Sequence, residues 1–75
     1  MHKRRERSEC EAIRIVDWRT ATEEETIAMF ERYDAMVDDW MEKDYGLLMW
    51  VLVPKENVSE FKNEMYVSSN YHLDE

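Results

Sequence analysis

Seventy-five residues with a net charge of −8 make one small domain, near the lower size at which a single core is stable. Hydrophobic residues at 44%, nine of them aromatic, exclude a disordered chain despite 37% charged residues. The single cysteine, Cys10, excludes an internal disulfide or a cysteine zinc cluster, and the acidic balance disfavours direct contact with nucleic acid or anionic membranes.

The charge is unevenly placed. Residues 1–19 hold six of the ten Lys/Arg against four acids, and residues 20–75 hold four against fourteen. Residues 1–8 read as a mobile basic arm, in which Lys3, Arg4, Arg5 and Arg7 are candidate contacts to phosphates. Residues 9–75 read as a single acidic domain. No apolar run approaches the roughly 18 residues that span a bilayer, and no apolar segment follows the basic start, so the expected location is cytoplasmic.

From Glu9 to Trp18 the pattern is β-like. Ala12, Arg14, Val16 and Trp18 fall on one face and Ile13 and Ile15 on the other, as in an edge strand with one side partly wet. Trp18, at its end, is a candidate binding anchor.

Thr22 to Gly46 reads as one long amphipathic helix. Thr22 and Glu25 form a capping box, and Gly46, the only glycine, stands where a left-handed residue ends a helix. Ile27, Met29, Phe30, Tyr33, Met36, Val37, Trp40 and Met41 then share one side, and acids the other. Asp34, Asp38 and Glu42 follow at i, i+4, a row of negative charges about 6 Å apart, close to the spacing of phosphates along a nucleic-acid strand. Each like-charge pair costs about 0.2–0.5 kcal/mol. Acids near the C-terminal end of a helix cost about 0.3–1 kcal/mol each, so the row looks selected for something other than stability.

Leu47 to Val53 is seven apolar residues without interruption, stopped by Pro54, and reads as a strand covered on both faces. Pro54 to Met65 predicts a second helix with Asn57 and Glu60 as a weaker capping pair and Val58, Phe61 and Met65 as its apolar stripe. Tyr66 to Leu73 predicts a short third strand. The expected fold is therefore a small two-layer α/β (α+β) domain, in the order β-α-β-α-(β), with one long helix packed on a sheet of two or three strands. A right-handed crossover makes the first two strands parallel if they are neighbours. A sheet this small is expected to be completed by a partner or a second copy, as in a homodimer.

The inventory for catalysis is poor. His2 and His72 are far apart, there is no glycine-rich loop, and Asp38 to Asp44 lacks the ligand pattern of a calcium loop. No catalytic residue, metal site or cofactor is expected. Partner-binding candidates are Glu31, Asp34, Asp38, Asp39, Glu42, Asp44 and Trp18. The expected function is a non-catalytic inhibitor or adaptor whose acidic helix face occupies a basic, nucleic-acid-binding site on a partner protein. By analogy of type, this is how phage-encoded nucleic-acid mimics, anti-CRISPR and anti-restriction proteins among them, act on host machinery. The alternative is an antitoxin-like or regulatory homodimer whose basic N-terminal arm contacts DNA.

Overall fold

The computed structural model describes residues 7–74. A short 3-10 turn, Arg7–Glu9, leads into strand β1 (Cys10–Asp17), helix α1 (Glu23–Arg32), strand β2 (Met36–Lys43) and strand β3 (Gly46–Pro54). A second 3-10 turn (Lys55–Asn57), helix α2 (Val58–Val67) and strand β4 (Tyr71–Leu73) complete the chain. The strands form one antiparallel sheet in the order β2-β3-β1-β4. The fold is α+β.

The capping box forms as the sequence predicts. Thr22 Oγ1 accepts from the Glu25 N–H at 3.1 Å, and the Thr22 N–H donates to Glu25 Oε1 at 2.9 Å. The helix it starts is short, however, and the predicted span to Gly46 is not one element. After Arg32 the chain makes a Schellman motif: the Ala35 N–H donates to the Phe30 carbonyl at 2.9 Å and the Asp34 N–H to that of Glu31 at 3.2 Å. Asp34 takes the left-handed conformation that closes this motif, with φ of 53°. Asp tolerates that region better than most residues because its short side chain can bond locally.

The second half of the expected helix is β2. In a helix, Asp34, Asp38 and Glu42 would stack and Asp38, Asp39, Glu42 and Asp44 would crowd the negative end of the dipole. A strand removes both penalties, since it has little net dipole and its rise of about 3.3 Å per residue sets residues four apart about 13 Å from each other. The repulsion evident in the sequence is thus evidence against the helix.

Adding β2 also reverses the expected crossover. β2 and β3 form a hairpin through Asp44 and Tyr45, so β3 returns antiparallel to β1, with Cys10 opposite Pro54 and Asp17 opposite Leu47. β1 is consequently a central strand between β3 and β4, where an edge was expected. Gly46 opens β3 and ends no helix. Its φ is 151°, and a Cβ there would lie 2.3 Å from the Asp17 carbonyl oxygen, so the end of β1 can approach only a glycine.

Both helices cover one face of the sheet. Ile13, Ile15, Met49, Val51 and Val53 point to Met29 of α1 and to Phe61 and Met65 of α2, with Tyr71 and Leu73 of β4 closing the core. α2 packs on the same face as α1, leaving the face of Leu48, Trp50 and Leu52 without a helix. Asn57 makes no side-chain cap for α2; its Nδ2 donates instead to the Tyr33 carbonyl at 2.9 Å, fixing the end of α1. α2 runs on through Tyr66 and Val67, leaving β4 only three residues paired with β1.

Candidate interaction surface

The helices are tied to the β4 side of the sheet. Thr26 Oγ1 and the Tyr71 hydroxyl share a hydrogen bond at 2.7 Å. The Tyr33 hydroxyl donates to Glu64 at 2.6 Å, Arg32 pairs with the same carboxylate, and the Tyr33 and Phe61 rings meet edge-to-face at 5.6 Å. Burial pushes the Glu64 carboxyl up, but the hydrogen bonds from Tyr33 and Arg32 outweigh it and hold the group below the usual carboxylate range. This perturbed acid is accounted for by the clamp between α1 and α2.

β2 lies at the opposite edge, and it is the most exposed strand. Every residue after Met36 is exposed, including Val37, Trp40 and Met41 at 41%, 63% and 49%. The sequence pattern placed these apolar residues in the core. They satisfy helical spacing, but Trp40 and Val37 extend past the reach of α1, and Met41 lies on the face that α1 and α2 do not cover. Ile27 of α1, expected in the core, is 49% exposed.

The acids expected in one row are distributed. Glu31 is in the last turn of α1, Asp34 is the left-handed residue after it, and Asp38 sits at a register break between Val37 and Asp39. Asp39 lies opposite Trp50, on the face away from the helices, whereas Glu42 lies opposite Leu47 on the helix side. Asp44 is in the hairpin turn. The structure therefore brings Asp38, Asp39, Glu42 and Asp44 onto one strand and its turn, but not onto one face, and Glu31 and Asp34 belong to a different element.

Trp18 is 38% exposed, directly after β1 and before the bend at Arg19. Its ring packs edge-to-face on Tyr45 of the hairpin at 5.9 Å and lies 6.0 Å from the His72 ring. Arg19 beside it has a left-handed backbone, φ 63°, held by its N–H donating to Asp17 Oδ1 at 2.8 Å, and its guanidinium pairs with Glu42. Tyr45, itself 52% exposed, extends this aromatic platform to the β2–β3 turn. Sequence reasoning missed Tyr45 and Trp40 as surface residues. The signal available was the Asp44–Tyr45–Gly46 turn, hidden by reading Gly46 as a helix end.

Lys3, Arg4 and Arg5 lie outside the described residues, and Arg7 opens the first 3-10 turn. Among the described residues no group of His, Cys, Asp and Glu is arranged to hold a metal ion, and no helix is long and apolar enough to cross a membrane. No family model matches the chain, and no curated protein or solved structure matches it either.

Proposed function

We propose that the protein is a non-catalytic inhibitor or adaptor that engages a basic, nucleic-acid-binding surface of a partner protein through β2 and its hairpin. The observation that carries this reading is β2 itself: a tryptophan that is 63% exposed stands on a strand without a buried residue, with Glu42 on its own face and Asp38 and Asp39 next to it in sequence. An exposed tryptophan is the side chain most often found as an energetic anchor of protein interfaces, and an acidic surround selects a basic partner and speeds encounter. Trp18 and Tyr45 add a second aromatic group at the hairpin end, beside Asp44.

The test is capture of partners from a cell lysate on the immobilised protein, followed by competition with duplex DNA and with RNA. A partner held through its nucleic-acid site is released by one of these competitors. It is not captured by a Trp40→Ala variant or by the combined variant Asp38→Asn, Glu42→Gln, Asp44→Asn. Capture that nucleic acid does not compete, or that both variants retain, contradicts the proposal.

A further inference from the structure

β2 is the outermost strand, and among the described residues no strand pairs with its outer edge. Such an edge is a template for pairing with another chain unless it is blocked. The two-residue turn closes the hairpin at Lys43 opposite Gly46. Antiparallel alternation then directs the backbone of Lys43, Met41 and Asp39 towards β3 and that of Glu42 and Trp40 outwards. The Trp40 N–H does face away from β3: it donates to Asp39 Oδ1 at 2.8 Å.

We propose that a second copy of this chain pairs antiparallel along the outer edge of β2, joining two four-stranded sheets into one of eight. The proposal uses the backbone edge, and so goes beyond the binding role assigned above to the strand's faces. A two-fold pairing must set outward residues against outward residues, which leaves three registers. With Trp40 opposite Trp40 of the other copy, Glu42 falls opposite Asp38. With Glu42 opposite Glu42, two like charges meet on the axis. In the third register Trp40 lies opposite Glu42, Met41 meets Met41 on the axis, and each copy's Asp39 faces the other's Lys43. Only this register sets opposite charges against each other, and it does so twice; the next pair along, Asp38 with Asp44, falls at the register break and in the turn, past the regular ladder. Lys43 is available for it, since no ion pair holds its ammonium among the described residues. Pairing releases the Asp39 carboxylate from the Trp40 N–H, which then donates to the Glu42 carbonyl of the second copy. Met41 and Trp40, exposed in the single chain, gain cross-strand neighbours.

Size-exclusion chromatography with light scattering across a dilution series tests this on the full chain. The expected result is twice the chain mass of 9.2 kDa at high concentration. Lys43→Asp sets an acid against Asp39 in each of the two pairs and weakens association by about tenfold or more. The charge swap Asp39→Lys with Lys43→Asp restores it. Circular dichroism establishes that both variants are folded, and amide exchange at Trp40 and Glu42 in the unaltered protein, slowing as concentration rises, gives a readout independent of any variant. A mass of one chain at every concentration overturns the proposal. So does dimerisation unaffected by Lys43→Asp, or a folded charge-swap variant that stays monomeric.

Discussion

Two residues carry backbone conformations that the rest of the topology depends on. Gly46 has both a left-handed φ and no room for a Cβ against the Asp17 carbonyl. Gly46→Ala is therefore expected to destabilise the fold by about 1–3 kcal/mol or more, read as a shift in the denaturation midpoint. Asp34 closes α1 from the left-handed region. Asp34→Val is expected to cost about 1–2 kcal/mol, because a β-branched side chain collides with its own backbone there, and Asp34→Asn much less. Equal losses for the two Asp34 variants would show that the carboxylate, and not the backbone, matters at this position. These two residues also show what the sequence conceals. A lone glycine is the usual signal for a helix end, and here the helix ends at an aspartate while the glycine serves a close strand contact.

At the level of elements, the capping box, β1, β3 and α2 were legible because each has a local signature: reciprocal Thr22–Glu25 bonds, alternation, an unbroken apolar run, a stop at Pro54. β2 was not, since Met36, Val37, Trp40 and Met41 fit a helical stripe, and only the cost of stacking acids argued otherwise. Thr22→Ala removes a cap that α1 uses and is expected to cost about 1 kcal/mol in thermal or chemical unfolding. The clamp between the helices gives a pH dependence. Glu64 and Glu25 both have carboxyls held below their ordinary value of 4.5: in Glu25 chiefly the backbone hydrogen bond to Thr22 does so, and in Glu64 the bonds from Tyr33 and Arg32 overcome burial. A lowered native pKa contributes stability that is complete above about 4.5 and is lost as pH falls through the native values. Melting temperature should therefore decline on acidification below that point. In Glu64→Gln the decline should be shallower, and the same slope in both proteins would remove Glu64 from the explanation.

For the whole molecule, the net charge of −8 acts against compactness. The ion pairs Arg14–Asp74, Arg19–Glu42, Arg32–Glu64 and Lys62–Glu11 lie at the surface and offset little of it. Screening should relieve more repulsion than it removes attraction, so melting temperature is expected to rise as sodium chloride is added at neutral pH. A fall would mean that the ion pairs outweigh the self-repulsion. The candidate surface was legible only in part. The sequence marked Asp38, Asp39, Glu42 and Asp44 as acids without a structural purpose, but arranged them along a helix with Trp40 buried behind them. On the sheet Trp40 is exposed because the helices are anchored at the β4 side and leave β2 bare, and Glu42 shares its face while Asp39 lies on the other. The direct measurement of whether this strand is the working surface is the affinity of a captured basic partner for the unaltered protein and for the Asp38→Asn, Glu42→Gln, Asp44→Asn variant. Affinity lost in a variant whose melting temperature is unchanged or higher is the result expected. Affinity retained in that variant would contradict the assignment of β2 as the binding element.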